Sequence, residues 1–258
     1  MITTPSQISK NWFVRAVKDT IGGFGQLLWP AKCVNCGEHS VETGSGLCGD
    51  CWEGLKSVCS ADYCRRCGRD VSPYVACEGV CPNCRDEEIH FNGIARAGMY
   101  AESLRDMILA FKNDRTELDS IMVWLADTAL QTSTFFRDID FFVPVPLHWR
   151  KRLRRGYNHS YLVAIGLKHP TAKVNTDLVR IRHTKEQPTM MTVTARAKNV
   201  AGAFAVRYRH PFAGKKICLV DDIKTTGATL NECAKTLKKA GASKVFALVV
   251  SVAGQDAR

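Results

Sequence analysis

The strongest constraint on this chain is a dense block of cysteines near its amino terminus. Ten of the twelve cysteines lie between Cys33 and Cys84, and eight of them form four Cys-x-x-Cys pairs. In a reducing compartment such a block favours metal ligation over disulfide bonding, and two Cys-x-x-Cys turns supply the four thiolates of a tetrahedral zinc site. The block therefore predicts two consecutive zinc sites, formed by Cys33, Cys36, Cys48 and Cys51 and by Cys64, Cys67, Cys81 and Cys84.

The cysteine spacing leaves some alternatives open. Cys59 and Cys77 are left over, and Cys77 competes with Cys81 as a ligand of the second site. An iron–sulfur cluster or unmetallated thiols are compatible with the same pairs. Gly37 and Gly68 each follow a pair at the position where a knuckle turn requires a positive φ, and this pattern favours zinc.

The net charge is positive even after metal binding. The 258 residues carry a formal charge of +11, to which eight thiolates and two zinc ions add −8 + 4 = −4, leaving about +7. A basic protein suits phosphorylated ligands or nucleic acid, and charge alone does not choose between them. Because the sequence shows no apolar run that would span a bilayer and no secretory signal pattern, we expect a cytoplasmic protein.

Three regions are expected along the chain. Residues 10–29 place apolar side chains at helical spacing opposite basic ones, so 1–32 is predicted to be an amphipathic segment. Such a helix either packs on the body of its protein or contacts a membrane surface or a protein partner. The cysteine module occupies 33–88, and a third region occupies 89–258.

Strand and helix patterns alternate through the third region. Helical faces centre on residues 104–111, 118–125 and 157–167, and 182–202 is predicted to be a mobile loop. Alternating strands and helices predict an α/β fold with a doubly wound, mainly parallel sheet. The expected strands are 91–100, 139–146, 177–181, Lys216–Asp221 and Lys244–Val252, and the last helix is Gly227–Ala240.

The stretch KICLVDDIKTTGATL, residues 216–230, carries the clearest chemical pattern. An apolar strand runs into Asp221 and Asp222, and a loop of small residues then leads into a helix. Ligands of parallel sheets bind at the carboxyl ends of the strands, where loop N–H groups and the helix dipole favour a phosphate group. A plain strand end followed by an N-cap is the alternative, but capping does not require two adjacent acids. The predicted phosphate contacts are Thr225, Thr226, Gly227, Ala228 and Thr229.

This stretch resembles the motif with which type I phosphoribosyltransferases bind phosphoribosyl pyrophosphate (PRPP), an apolar strand followed by DDxxxTGxT. The resemblance implies that Asp221 and Asp222 are the catalytic acids that bind the ribose hydroxyls, and that the loop binds the 5′-phosphate. It also implies that magnesium accompanies PRPP and that the phosphoribosyl group passes to an acceptor, which no residue pattern identifies. Lys224 is an unusual charge inside such a loop.

Three further segments narrow the resemblance to one family. Residues 143–160, 182–188 and 195–204 are similar, in the same order, to segments of the ComF family of competence-associated proteins. That family joins a double zinc ribbon to a phosphoribosyltransferase-type domain. The resemblance therefore implies two structural zinc ions, a type I phosphoribosyltransferase-like sheet and a role in DNA uptake, with single-stranded DNA as a partner.

A basic run adds a candidate for binding phosphate groups. Five of the six residues Arg150–Arg155 are basic, which suits pyrophosphate, a nucleic-acid backbone or plain exposure to solvent. Arg155 is favoured for PRPP because Gly156 and a predicted helix follow it. Trp149 and Tyr157 flank the run and are of the type that stacks on single-stranded bases. Weaker candidates for ligand contact are Lys112, Arg196 and Asn199.

Two functions are compatible with these patterns. In the first, a ComF-like protein binds zinc, PRPP and magnesium and serves DNA uptake. In the second, the chain is a metabolic type I phosphoribosyltransferase of nucleotide or base metabolism, and its zinc ribbons are structural.

Overall fold

The computed structural model describes residues 32–38, 41, 46–59, 62–72, 81–84, 87–113, 115–147, 156–184 and 193–254. The chain forms two compact units, Met1–Glu53 and Gly54–Arg258. The α-helices of the described residues are α1 (Gly49–Val58), α2 (Glu102–Lys112), α3 (Asp119–Gln131), α4 (His159–Gly166), α5 (Val193–Val200) and α6 (Ala228–Lys239). The strands are β1 (Gly93–Met99), β2 (Phe141–Pro144), β3 (Lys173–Val174), β4 (Leu178–Arg180), β5 (Phe204–Val206), β6 (Lys216–Lys224) and β7 (Lys244–Val252).

The main sheet has five parallel strands in the order β1-β7-β6-β2-β3. Side chains alternate across β6, so that Ile217 and Leu219 join the apolar core with Leu230 and Leu237 of α6. Helices α3 and α4 contact each other and strands of the same sheet, α3 at β1 and β7 and α4 at β2 and β6. Neither helix contributes residues to that core. Helices therefore cover both faces, and the predicted doubly wound, mainly parallel fold is confirmed.

One local prediction in this region is wrong and one needs a correction. The strand predicted near 177–181 is present as β4, but it pairs antiparallel with β5 in a separate two-stranded sheet and does not join the main sheet. Within the predicted loop 182–202, residues Val193–Val200 form a helix that packs on α6 and buries Val200. Helix α6 provides an apolar surface against which residues 193–200 become helical. The polar composition of this stretch did not predict a helix.

The first cysteine cluster belongs to the amino-terminal unit. Gly37 adopts a φ of 75° and donates its N–H to the Cys33 carbonyl at 2.8 Å, as a knuckle turn requires. The Sγ atoms of Cys36 and Cys48 are 3.8 Å apart. All four Sγ atoms of Cys33, Cys36, Cys48 and Cys51 lie within 4.8 Å of one another.

The second cluster belongs to the same compact unit as the sheet. Gly68 has a φ of 80° and closes its knuckle on the Cys64 carbonyl at 2.7 Å. The Sγ atoms of Cys64 and Cys84 are 3.7 Å apart, and those of Cys67 and Cys81 are 3.6 Å apart. A zinc ion with four Zn–S bonds of ~2.3 Å gives edges of ~3.8 Å, so both clusters fit tetrahedral zinc.

Of the two leftover cysteines, the structure describes only Cys59. Cys59 is half-buried and belongs to neither four-cysteine group, while Cys77 lies outside the described residues. Residues 10–29 and Arg150–Arg155 lie outside them as well. In the part of the chain that the structure describes, no helix is both long and apolar enough to cross a membrane.

The second cluster covers the β1 edge of the main sheet. β1 is an edge strand, and its Ile94 N–H donates to the Arg65 carbonyl at 2.8 Å. A side chain at Gly68 would meet Val252 of β7 at 3.1 Å, so a larger residue would require this neighbour to shift. The buried guanidinium of Arg96 in β1 pairs with Asp70. Pairing an edge strand in this way removes a site of edge-to-edge association.

Both clusters should hold structural zinc. Metal analysis of the purified chain is expected to give two zinc ions per chain, because each group of four thiolates matches one tetrahedral ion. Cys81→Ser should reduce the content to one zinc, whereas the matched control Cys59→Ser should keep two. A zinc content near zero, or substantial iron, would contradict the assignment.

Candidate functional site

The acid pair lies where β6 extends beyond its neighbour β2. β2 ends at Pro144, opposite Val220, whereas β6 continues to Lys224 and pairs there with β7 alone. The strand thus runs three residues past its predicted end, because hydrogen bonds to one neighbour are enough to maintain it. After β2 the chain moves outward to β3, and after β6 it moves to β7 on the other side. Ligands of open parallel sheets bind at such a switch point, so Asp221 and Asp222 lie at the natural crevice of this sheet.

The two carboxylates have different partners. Asp222 Oδ2 is 2.8 Å from the Lys112 ammonium, and Asp221 Oδ1 accepts the Ser160 hydroxyl at 2.9 Å. Burial, with the charge of Asp222 as the second cause, raises the pKa of Asp221 to about 8. Burial acts on Asp222 in the same direction, but the neighbouring Lys112 charge outweighs it and lowers the pKa of Asp222. At neutral pH the pair therefore presents one charged acceptor and one carboxylic acid that also donates.

Helix α6 begins within the predicted phosphate loop, at Ala228. Gly227, at a φ of 82°, is the N-cap, and the Ala228 N–H lies 3.4 Å from the Thr226 hydroxyl. The first turn of any helix has N–H groups without partners inside the helix, and its dipole favours an anion. Residues 225–229, the five predicted phosphate contacts, are all half-buried. They form the loop before α6 and the beginning of its first turn.

Lys224 lies beneath this loop and not within it. It is the last residue of β6 and only 4% exposed. A side chain at Gly227 would lie 2.9 Å from Lys224 Cε, which places the lysine stem directly under the loop. Burial and the nearby Arg69 lower the pKa of Lys224, while Cys67 and Glu87 act in the opposite direction. The lysine stem therefore lies under the predicted phosphate loop, and charges of the second cysteine cluster act on its ammonium.

Two helix ends that sequence reasoning ranked low or missed complete the site. Lys112, a weak candidate, ends α2 and reaches Asp222. Ser160 was missed, although Asn158 at the N-cap of α4 signals the start of a helix there. The Asn158 amide donates to the Val145 carbonyl at 3.0 Å, and the buried His159 ring lies 2.8 Å from the Phe111 carbonyl. These contacts hold α4 and α2 beside the acid pair.

The remaining candidates do not join the acid pair in what the structure describes. Arg155 and Trp149 lie outside the described residues. Tyr157 is half-buried against His159, with ring centroids 4.8 Å apart. Arg196 and Asn199 belong to α5, where the Asn199 carbonyl accepts a hydrogen bond from Arg182 at 3.0 Å.

The acid pair should make stability depend on pH. The unfolded chain releases the Asp221 proton near pH 4, but the folded protein keeps it up to about pH 8, so stability falls between these values. Asp221→Asn cannot ionise and should be more stable than wild type by ~2 kcal/mol at pH 8, with the gain vanishing towards pH 4. Thermal melts across this range measure the effect.

Asp140→Asn is the control of opposite sign. The Lys216 N–H donates to Asp140 and lowers the pKa of that carboxyl, so neutralising it should destabilise the protein at pH 8. An Asp221→Asn variant that melts below wild type at pH 8 would contradict the proposed protonation of the pair.

Gly227 should tolerate substitution less well than an unhindered glycine of the same conformation. Gly214 has a φ of 71° and open space around it, so Gly214→Ala should lose only the ~1–2 kcal/mol of the left-handed conformation. Gly227→Ala must also displace the buried Lys224 stem and should lose ~1 kcal/mol more in urea unfolding. Equal losses in the two variants would mean that Lys224 does not support the loop.

Comparison with known proteins agrees with this architecture. Residues 24–85 match the double zinc ribbon domain, and residues 153–258 match the phosphoribosyl transferase domain. Competence protein F of Haemophilus influenzae is 28% identical over 221 residues, which are 83% of this chain and 93% of that protein. DNA utilization protein YhgH of Salmonella typhimurium is 28% identical over 224 residues, 84% of this chain and 94% of that protein.

A third relative has the same character. Competence protein ComFC of Bacillus subtilis is 26% identical over 205 residues, which cover 76% of this chain and 79% of that protein. The chain therefore joins a double zinc ribbon to a phosphoribosyl transferase domain and is similar over most of its length to these competence and DNA utilization proteins.

Proposed function

We propose that the crevice at the ends of β2 and β6 binds PRPP with magnesium, and that the protein uses this site in DNA uptake in the cytoplasm. The observation that carries the proposal is the acid pair at the switch point, followed directly by a threonine–glycine loop that begins a helix. The start of the helix favours an anion, and the two acids favour the hydroxyl groups of a sugar.

Each part of PRPP has its own contacts in this proposal. Asp221 and Asp222 hold the two ribose hydroxyls, one acid donating and the other accepting. The loop Thr225–Thr229 binds the 5′-phosphate, and Arg155 with the basic run binds the pyrophosphate. Magnesium, held by pyrophosphate and ribose oxygens, would neutralise the charge of the leaving group.

Lys112 has a defined role in this scheme. Its ammonium is 2.8 Å from Asp222 Oδ2, so a ribose hydroxyl has to share or displace that contact. The lysine keeps Asp222 charged, and the acids stabilise positive charge that develops at the anomeric carbon as pyrophosphate departs. The reaction class is transfer of the phosphoribosyl group to an acceptor, the chemistry of type I phosphoribosyltransferases.

The DNA part of the proposal has different support. The names of the relatives describe a competence protein and a DNA utilization protein, and they align with most of this chain. A basic balance of about +7 after zinc binding suits a polyanionic partner, since phosphate neutralisation supplies most of the affinity for nucleic acid.

Replacing both acids by amides should weaken PRPP binding strongly. In Asp221→Asn with Asp222→Asn, calorimetry with magnesium should show PRPP affinity reduced by roughly 100-fold, because the charge-assisted contact of Asp222 and the hydrogen bond of the Asp221 acid, together worth ~3 kcal/mol, are lost. Asp138→Asn with Asp140→Asn is the matched control: it makes the same two substitutions near the amino ends of β2 and β6 and should bind PRPP as wild type does.

Equal affinity in wild type and in the acid-pair variant would overturn the PRPP assignment. Turnover is a separate measurement, namely pyrophosphate release from PRPP and magnesium across a panel of free bases and single-stranded DNA. Rapid release with one free base, and no effect of DNA, would favour the metabolic phosphoribosyltransferase instead.

A further inference from the structure

A second polar cavity lies at the other end of the sheet. It has a volume of about 210 Å³, and the knuckle of the second cysteine cluster and the segment after α3 form its walls. Its floor is the stacked pair Phe135 and Phe246, whose ring centroids are 4.3 Å apart. The residues that offer polar groups to it are Arg65, Arg66, Asn92, Ser133 and Thr134.

The two arginines of this cavity differ from the other arginines nearby. Arg69 pairs with Glu87, and Arg96 pairs with Asp70. Within the described ranges, neither Arg65 nor Arg66 has a carboxylate at ion-pair distance. Two guanidinium groups beside one cavity therefore keep their charge available for a ligand.

The cavity also has preorganised donors. Arg65 Nη1 donates to the Tyr63 hydroxyl at 2.6 Å, and its guanidinium lies 4.4 Å from the Tyr63 ring centroid. Tyr63 itself is buried, so it limits the freedom of Arg65. Asn92 accepts from the Val245 N–H through its side-chain oxygen, which leaves the amide NH₂ as a donor. A fixed fork and an amide donor suit the oxygens of a phosphate group.

The polar surface continues past the cavity. A second depression shares Ser133 and Thr134 and ends at Arg137 and Asp138. Arg137 is exposed, and Asp138 is paired with Lys216 at 2.6 Å. The two depressions together have arginines at both ends, an arrangement that matches a chain of phosphates better than a single anion. The small size of the cavity suits a single strand of nucleic acid.

We propose that Arg65, Arg66 and Thr134 form a binding site for the backbone of single-stranded DNA, separate from the PRPP crevice. The inference rests on the proposed role in DNA uptake and names where the DNA binds. Gly93 pairs with Phe246, which pairs with Cys218, so the acid pair lies about three residues further along and two strands across. With the usual rise per residue and strand spacing, the cavity lies ~15 Å from the acid pair. The proposed DNA site and the PRPP crevice are therefore separate.

The test is binding of a fluorescent oligothymidine to the zinc-loaded full chain, followed by anisotropy at several salt concentrations. Arg65→Gln with Arg66→Gln should weaken binding about tenfold or more at low salt and reduce the log–log salt slope by ~1.4, at ~0.7 per lost contact. Millimolar PRPP with magnesium should displace DNA from neither protein. Lys238→Gln with Lys239→Gln removes the same charge from the exposed end of α6 and should bind as wild type does.

A second variant avoids the cysteine knuckle altogether. Thr134→Asp places a negative charge on the wall that the two depressions share and should weaken DNA binding while zinc content and PRPP affinity stay at wild-type values. DNA affinity and salt slope unchanged in both variants would overturn this site. Wild-type protein that binds no DNA even at low salt would overturn the DNA part of the proposed function as well, and displacement of DNA by PRPP would move the site to the crevice.

Discussion

Two adjacent acids at the end of a buried strand would repel each other if both were charged, and the arrangement around the crevice depends on how that repulsion is avoided. In water, solvent and salt would screen it, but Asp221 and Asp222 are largely removed from water. A cation from the end of α2 and a hydroxyl from the start of α4 stabilise the pair. Because those two helix ends are held together through His159, the site is a property of the packed domain and not of the motif alone.

Buried cations of the α/β domain lie close to the second zinc site. Four thiolates and one zinc ion carry −4 + 2 = −2, a charge that favours cations nearby. Arg96 and Lys224 are almost completely buried, Arg96 against Asp70 and Lys224 between the cluster and the phosphate loop. The second cluster therefore lies against the β1 edge of the sheet, and its charges act on Lys224 below the predicted phosphate loop.

Sequence reasoning succeeded where a local pattern is sufficient for the outcome. The eight cysteines come together in two groups because each pair is already a turn, and the strand–acid–loop–helix order of 216–230 needs no distant partner. It was wrong where packing overrides composition. Val193–Val200 is helical because α6 offers it an apolar surface. The predicted strand β4 does form, but it pairs with β5 outside the main sheet. The boundary predicted between 88 and 89 remains a prediction, although the second cluster and the sheet share one compact unit.

The amino-acid sequence defines the chemistry that is available: cysteine pairs suited to zinc, two adjacent acids, and a small-residue loop before a helix. These patterns are short-range, because their residues are neighbours along the chain. Which distant groups act on them depends on the folded domain. Lys112 and Ser160 reach the acids from 110 and 61 residues away, and Arg65 and Thr134 face one cavity from different elements. Such pairings depend on strand order and helix packing, which long-range burial sets and no local spacing encodes.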